Sequence, residues 1–197
     1  MAAVSLAACG DADDPAAGRP ELEGAVRSPA LEVGDVVLPD AAAGGGPMAM
    51  RAEEGELLIV YFGYTSCPDV CPTTMSDLRV GLEALEPAAR GRISVAMVTV
   101  DPERDTGAVL GAYLDHFFDD GHPLRTDDAA ALAAAARTFG VQYEVEAHEP
   151  GEAYDVGHTA ITFVVDDSGT VAVEWPFGFE SASMTADLTT LLERTMS

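Results

Sequence analysis

Two contrasting sequence patterns meet in the stretch Tyr61-Phe62-Gly63-Tyr64-Thr65-Ser66-Cys67-Pro68-Asp69-Val70-Cys71-Pro72-Thr73-Thr74. Its start completes the apolar run 57–62, which is typical of a buried β-strand. Four apolar residues then recur at the spacing of one helix face: Met75, Leu78, Leu82 and Leu85. Pro72 suits a first helical turn, because its missing N–H would have no partner there. Cys67 and Cys71 are therefore predicted to lie where a strand ends and a helix begins.

This position favours reactive or metal-binding cysteines. Residues four apart at the start of a helix lie on one side of it, so the sulfurs of Cys67 and Cys71 should be neighbours. A helix N-terminus stabilises negative charge and so lowers the pKa of a thiol. We expect both cysteines to act as nucleophiles or as metal ligands. A structural disulfide or a pair of inert buried thiols is the alternative.

Composition limits the classes of partner. The chain has 197 residues, enough for one domain with a sizeable core and a tail. Its formal net charge is −24 and it contains no lysine. Such a surface repels phosphate backbones, so we expect no nucleic-acid binding. The acidity itself is interpreted as a solvated coat that keeps the protein soluble.

The third cysteine has a different context. The segment Leu6-Ala7-Ala8-Cys9-Gly10 resembles a bacterial lipobox, in which the cysteine is lipidated and becomes the mature N-terminus. Residues 1–8 lack the basic and fully apolar parts of an export signal, and a chance alanine-rich stretch is the alternative. We expect residues 1–9 to be the remnant of a lipoprotein signal and residues 10–30 a flexible tether. The protein would then be extracytoplasmic, held on the outer face of the cell membrane by its lipid alone.

Strand and helix patterns alternate along residues 31–197, which we expect to form one domain. A leading strand or hairpin is expected in 31–38, and strong strands are expected at 56–62, 93–100, 159–165 and 170–175. Helices are expected after Pro72, after Asp105 or Thr106 as a cap, from 126–128 to Gly140, and from about Ser183. His122-Pro123 is expected to interrupt the chain, and 141–145 to form a short strand. This order predicts an α/β, thioredoxin-like fold with a central mixed sheet and helices on both faces.

Three motifs, in this order, resemble the Sco/SenC family: Tyr-Thr-Ser-Cys-Pro-Asp-Val-Cys-Pro at 64–72, Val-Thr-Val-Asp-Pro-Glu-Arg-Asp-Thr at 98–106, and Gly-His-Thr at 157–159. The resemblance covers roughly residue 31 to the C-terminus. It implies a thioredoxin-like domain that binds copper outside the cytoplasmic membrane through Cys67, Cys71 and His158. It also implies that the protein delivers copper to, or reduces, the binuclear copper centre in subunit II of cytochrome c oxidase. An unidentified copper donor or thiol reductant would be the other partner.

The residue types agree with copper. Soft thiolates select Cu(I), and an imidazole also suits Cu(II), whereas a structural zinc site usually has four protein ligands. The other histidines, His116, His122 and His148, are expected to have ordinary structural roles, with His148 nearest to the site in sequence. Met48 and Met50 form a loop pair that we interpret as packing residues. Without metal, an extracytoplasmic compartment should close Cys67 and Cys71 into a disulfide.

Two departures from related patterns affect the choice of function. The family often has an acidic residue directly before the histidine, whereas Gly157 stands here and Asp155 lies two positions before His158. Thioredoxins carry a cis-proline before the strand that faces their cysteines, and 159–161 contains no proline. The absence of that proline weakens an oxidoreductase reading and leaves room for a metal.

Two functions therefore compete. The first is a metallochaperone, which is not an enzyme, and the second is a thiol–disulfide oxidoreductase, a reductase or peroxidase, that uses the same cysteines. A metal site needs His158, while a dithiol reductase does not. A peroxidase would also need a positive group beside the attacking sulfur. Arg104 is the candidate, although its motif position is more typical of a loop or capping residue.

Overall fold

The computed structural model describes residues 21–195. Within them the strands are β1 (Leu31–Glu32), β2 (Val37–Asp40), β3 (Gly46–Ala49), β4 (Leu57–Gly63), β5 (Ile93–Thr99), β6 (His122–Leu124), β7 (Tyr143–Val145), β8 (Val156–His158), β9 (Ile161–Val165) and β10 (Thr170–Pro176). The helices are α1 (Val70–Glu83), α2 (Pro87–Arg90), α3 (Gly107–Leu114), α4 (Ala129–Phe139) and α5 (Ser181–Arg194). No helix of this described part is long and apolar enough to cross a membrane.

A mixed sheet forms the centre of the domain. Its strand order is β1-β10-β9-β4-β5-β6-β2-β3, and β7 and β8 form a separate two-stranded sheet. The central strand β4 pairs in parallel with β5 and antiparallel with β9. All seven residues of β4 are buried, because both faces of the sheet are covered. This double cover explains why the strand is apolar at consecutive positions instead of alternating.

Helices cover both faces of the sheet. On one face α1 packs against α5, where the Thr185 hydroxyl donates a 2.9 Å hydrogen bond to the Gly81 carbonyl. On the other face α4 inserts Phe139, whose ring centroid lies 5.2 Å from that of Phe62 and 5.1 Å from that of Phe163. The predicted thioredoxin-like α/β class, with helices on both faces, is confirmed.

The helix caps follow the sequence closely, and at α3 the structure selects one of two expected residues. Asp128 accepts the N–H groups of Ala130 and Ala131, and Gly140 ends α4 in a left-handed conformation with φ of 72°. For α3, the expected cap was Asp105 or Thr106. Thr106 caps it by accepting the Val109 N–H at 3.2 Å, while Asp105 is buried and has other partners.

Two local expectations need correction. His122-Pro123 does not interrupt the chain but begins β6, which pairs with β5. The leading hairpin extends further than residue 38, because β2 pairs with β3. The short strand expected at 141–145 is confirmed as β7, and its partner is β8. His158 is the last residue of β8 and therefore belongs to the two-stranded sheet, not to the main sheet.

Residues 21–30 make specific contacts with the edge of the sheet. Cys9 and the tether's first half lie outside the described residues, but from residue 21 onward the segment lies along the sheet edge. Ala25 forms a bridge to Glu174 through two 2.9 Å backbone hydrogen bonds. The buried Asp187 accepts the N–H groups of Glu23 at 2.7 Å and Gly24 at 3.0 Å. These bonds hold residues 23–25 to the domain, while the tether of residues 10–30 stays a prediction.

Replacing Asp187 should release this N-terminal segment. The carboxylate also accepts the indole N–H of Trp175 at 2.9 Å, so Asp187→Ala would leave three donors without their partner. We expect the free energy of unfolding to fall by about 3 kcal/mol, because the buried Trp175 N–H and two partly buried backbone N–H groups lose their acceptor. Chemical denaturation would measure the loss. The control Asp128→Ala removes an exposed helix cap and should cost about 1 kcal/mol; equal losses in the two variants would contradict the assignment.

Candidate metal centre

The two cysteines lie in the loop between β4 and α1 and in the first turn of that helix. Cys71 is fully buried, whereas Cys67 is half-buried. The Cys71 backbone N–H points at the Cys67 sulfur, with 3.4 Å between nitrogen and Sγ. Helix-terminal N–H groups have no partner within the helix, so they are free to stabilise a thiolate. The predicted position at a strand-to-helix junction is confirmed.

His158 joins this pair from the separate hairpin. Its Nε2 lies 3.4 Å from the Cys71 sulfur, and its Nδ1 lies 3.1 Å from the Thr159 carbonyl oxygen. A carbonyl can only accept, so it favours the tautomer with the proton on Nδ1 and leaves the Nε2 lone pair free. Across residues 21–195, Cys67, Cys71 and His158 form the single group of three potential ligands, with ligand atoms within 4.8 Å of one another.

Two tyrosines enclose the histidine. The rings of Tyr61 and Tyr64 meet the imidazole edge-on, with centroids 5.9 Å and 5.8 Å away. The Tyr61 hydroxyl is also placed to donate to the Cys71 sulfur, at 3.7 Å. Gly63 makes this packing possible, because a Cβ there would lie 2.6 Å from the Tyr61 ring and 3.0 Å from the Cys71 sulfur. The inner side of the site is therefore closed.

The outer side opens to solvent. A pocket of about 280 Å³ is lined by Tyr64, Cys67, Pro68, Val156, His158 and Ala160, among others. Cys71 does not line it. A molecule in this pocket would meet Cys67 and His158 first, with Cys71 behind them.

The two thiols are electrostatically different. Burial tends to raise the pKa of Cys67, but hydrogen bonds from the backbone N–H groups of Cys71 and Asp69 outweigh it, so the pKa is lowered. Burial dominates at Cys71 and raises the pKa of that thiol to about 12. Burial also lowers the pKa of His158, against the opposing bond to Thr159. Near neutral pH the imidazole is therefore neutral, and Cys67 ionises more readily than Cys71.

Comparison with known proteins places this geometry in a family. The model of the family described as SCO1/SenC matches residues 41–193. The chain belongs to the SCO1/SenC family. An SCO2-like protein of Rickettsia felis is 33% identical over 122 residues, which are 59% of this chain and 56% of the relative. The chain thus spans little more than half the length of that curated relative.

Two solved Sco structures share the fold. Apo Sco1 of Thermus thermophilus superposes with a TM-score of 0.75 at 35% identity, covering 87% of this chain and 97% of that one. ScoI of Bradyrhizobium japonicum, solved with copper bound, gives a TM-score of 0.66 at 28% identity, covering 78% of this chain and 95% of that one. The Sco/SenC resemblance of the three motifs is therefore confirmed at the level of family and fold.

In this Sco/SenC chain, a buried aspartate fixes the cysteine loop. Asp105 accepts the Thr65 N–H at 3.0 Å, the Thr65 hydroxyl at 2.5 Å and the Thr99 hydroxyl at 2.6 Å. Sequence reasoning considered Asp105 only as a helix cap and missed this role. Its position after a buried strand could have indicated this role. Side chains that follow neighbouring strands meet at one edge of the sheet, and Thr65 follows the neighbouring strand β4.

The same motif holds the histidine hairpin. Asp101 pairs with Arg104 and accepts the Tyr154 hydroxyl at 2.7 Å. The Arg104 guanidinium lies 3.8 Å from the centroid of the Tyr154 ring, and Tyr154 belongs to the turn between β7 and β8. These contacts agree with the expectation that Arg104 is a loop residue. Its positive charge is paired with Asp101.

The other histidines and the two methionines considered as metal ligands have other contacts. His116 contacts the Ala112 carbonyl at 2.6 Å, and His122 contacts Asp40 at 2.7 Å. His148 stacks on Tyr154 with centroids 3.6 Å apart, and so packs near the site without joining the ligand group. Met50 is fully buried, and Met48 packs against the core, as expected for packing residues. The hydrogen-bond partner of the His158 ring is the Thr159 carbonyl rather than an acidic side chain.

The difference between the thiols can be measured by alkylation. In a Cys9→Ser background, iodoacetamide at pH 7 should label Cys67 roughly tenfold or more faster than Cys71, because Cys67 is accessible and more readily ionised. Since the pKa of Cys67 is lowered, its labelling rate should also level off at a lower pH than that of an ordinary cysteine. Peptide mapping by mass spectrometry gives both rates. Denatured protein is the control, in which the two rates should converge; equal rates in the native protein would contradict the assignment.

Proposed function

We propose that this Sco/SenC protein is a copper metallochaperone that binds Cu(I) or Cu(II) through Cys67, Cys71 and His158. The observation that carries the proposal is the convergence of two sulfurs and one imidazole nitrogen within 4.8 Å of one another. Thiolates suit Cu(I), and the imidazole extends the site to Cu(II). The copper-bound state of the Bradyrhizobium relative supports the same cargo.

The pocket suggests how the cargo would leave. Cys67 and His158 line the open side, while Cys71 is fully buried behind them. A ligand from the receiving protein can therefore displace Cys67 or His158 first, while Cys71 still holds the ion. We propose that the receiver is subunit II of cytochrome c oxidase, at its binuclear copper centre. An unidentified donor supplies the copper.

Copper binding must compete with protons. The pKa of Cys71 is raised to about 12, so this thiol keeps its proton near neutral pH and loses it when the metal binds. Lower pH favours the protonated, metal-free form, and higher pH favours the complex. For each proton displaced, the apparent affinity falls about tenfold per unit of decreasing pH. Cys67, with its lowered pKa, and His158, neutral at this pH, are more nearly prepared as ligands.

The contrast between the thiols also supports a second function. An accessible cysteine of lowered pKa beside a buried one of raised pKa is the arrangement of a thiol–disulfide oxidoreductase. The Cys67 thiolate would attack a substrate disulfide and release one substrate thiol. Cys71 would then displace the other, which leaves a reduced substrate and a Cys67–Cys71 disulfide. A thiol reductant would restore the dithiol. Both functions use the same reduced state, because a disulfide offers no thiolate to copper.

We further propose that the protein acts outside the cytoplasmic membrane, anchored by a lipid on Cys9. This residue lies outside the described part of the chain, and the support is its lipobox-like sequence context. The anchored segment would join the domain near Ala25, which bridges Glu174 at the sheet edge.

Copper titration separates the two functions. Reduced protein should bind one copper, and Cu(II) should give an intense sulfur-to-copper charge-transfer absorption, because at least one ligand is a thiolate. Cys67→Ser or Cys71→Ser should abolish this absorption. His158→Ala should retain Cu(I) on two sulfurs but hold Cu(II) poorly, since the imidazole is the ligand that suits the oxidised ion. Affinities should fall as the pH is lowered.

His116→Ala is the matched control, because His116 is exposed and bound only to its own helix. It should leave both copper affinities unchanged, and protein with a preformed disulfide should bind no copper. If His158→Ala held both ions as tightly as wild type, while disulfide reductase turnover was high and unaffected, the oxidoreductase would replace the chaperone.

The anchor is tested by fractionation. With an export signal placed upstream, the protein should be lipidated and recovered with membranes, and Cys9→Ser should release it into the soluble fraction. Metabolic labelling with a fatty acid should mark the unsubstituted protein alone. Full membrane recovery of the Cys9→Ser protein would count against the anchor.

A further inference from the structure

The hairpin that carries His158 is not a strand of the main sheet. Strands β7 and β8 pair only with each other among the strands of the described chain. Cys67, in contrast, lies on the loop that leaves the fully buried strand β4, and Cys71 lies in the first turn of α1. The third ligand therefore lies outside the main sheet, although only two residues separate β8 from β9 of that sheet. The rest of its hairpin is held against the sheet edge by side chains.

Arg104 makes the contacts that join the hairpin to the sheet edge. Its guanidinium lies over the Tyr154 ring at 3.8 Å from the centroid, and its Nη1 donates to the Tyr154 carbonyl at 3.0 Å. Its Nε contacts the carboxylate of Asp101, which is almost fully buried and also accepts the Tyr154 hydroxyl. Arg104 thus binds both the main chain and the ring of Tyr154. Its own position is fixed by the buried Asp101.

The same guanidinium reaches the cysteine side of the site. It lies 5.6 Å from the centroid of the Tyr64 ring. Tyr64 meets the His158 imidazole edge-on at 5.8 Å, and its carbonyl accepts the Cys67 N–H at 3.3 Å. The second terminal nitrogen of Arg104, Nη2, is buried and has no hydrogen-bond acceptor among the described residues. Arg104 therefore lies between the hairpin turn and the tyrosine that contacts two of the three ligand residues.

We propose that Arg104 is a positioning residue that holds His158 in reach of the cysteine pair, and thereby determines how well the site accepts Cu(II). This inference rests on the proposed copper function. Cys67 and Cys71 are supported independently by Asp105 and by the start of α1. Loss of Arg104 therefore loosens His158 selectively, and the site keeps its two sulfurs. Cu(I), which two thiolates satisfy, is bound much as before, whereas Cu(II) loses the imidazole.

The test compares Arg104→Met with Arg92→Met. Arg92 is a matched control: it is half-buried like Arg104, it bonds the Gly55 carbonyl and the Thr195 hydroxyl, and it lies at the opposite end of β5 from Thr99. Arg104→Met should weaken Cu(II) binding about ten- to hundredfold, the usual effect of losing a residue that orients a ligand. It should change the charge-transfer spectrum towards that of His158→Ala and change Cu(I) affinity less than about threefold. Arg92→Met should leave both affinities and the spectrum unchanged.

A double-mutant cycle shows whether Arg104 acts through His158. If it does, Arg104→Met should weaken Cu(II) binding no further in a His158→Ala background, because the group it positions is already gone. Losses that multiply in the double variant would overturn the proposal, as would a wild-type spectrum in Arg104→Met. If the methionine variant fails to fold, Arg104→Lys keeps the charge beside Asp101 but lacks the planar group over Tyr154, and should shift the spectrum in the same direction.

A measurement without metal separates this inference from the copper function itself. Hydrogen exchange in the apo protein should be faster across residues 143–158 in Arg104→Met than in wild type, with the amides of β4 unchanged. If wild-type protein binds no copper, the proposed function fails, and the exchange rates still report the hairpin contact. If wild type binds copper and the hairpin amides of Arg104→Met exchange as in wild type, the positioning role fails alone.

Discussion

The hydrogen bonds of the buried Asp105 carboxylate are the constraint on which the metal centre depends. Asp105 is fully buried, and its oxygens are occupied by the Thr65 backbone, the Thr65 hydroxyl and the Thr99 hydroxyl. A buried carboxylate is tolerated only with such partners, and removing one would leave an unsatisfied group in the interior. The loop that precedes Cys67 is therefore held to the end of β5, and the cysteines keep their positions without metal.

The surroundings then give the three potential ligands, Cys67, Cys71 and His158, different protonation states. Aromatic packing against Tyr61 and Tyr64 removes water from the inner side, which raises the pKa of Cys71 and lowers that of His158. The helix-terminal N–H groups act in the opposite direction on Cys67. Cys67 is therefore the more readily ionised thiol, His158 is a neutral donor, and Cys71 keeps its proton near neutral pH. The open side of the pocket faces the first two.

Sequence patterns predicted the elements that are local and missed the contacts that are not. The buried run 57–62, the helix face from Met75 and the caps at Asp128 and Gly140 follow from neighbouring residues, so they could be read directly. The start of β6 at His122 and the bridge at Ala25 depend on partners far along the chain, and the partner of β7 lies beyond the acidic loop 146–155. Cys67, Cys71 and His158 are expected from the family resemblance. The contact of Asp105 with Thr65, forty residues earlier, could be inferred only from the meeting of strand ends at one sheet edge.

A site assembled from separate elements has a particular consequence for copper. Two thiolates, one in the loop before α1 and one in its first turn, would make a soft pair that suits Cu(I). The imidazole comes from a hairpin outside the main sheet, which Arg104 and Asp101 contact at Tyr154. Under the proposed copper function, such a division would let one protein hold both oxidation states, with the affinity for Cu(II) depending on the hairpin contacts more than on the cysteine pair. The acidic, solvent-facing hairpin is then the part of the domain where sequence changes would alter the preference for Cu(II) without disturbing the cysteine loop.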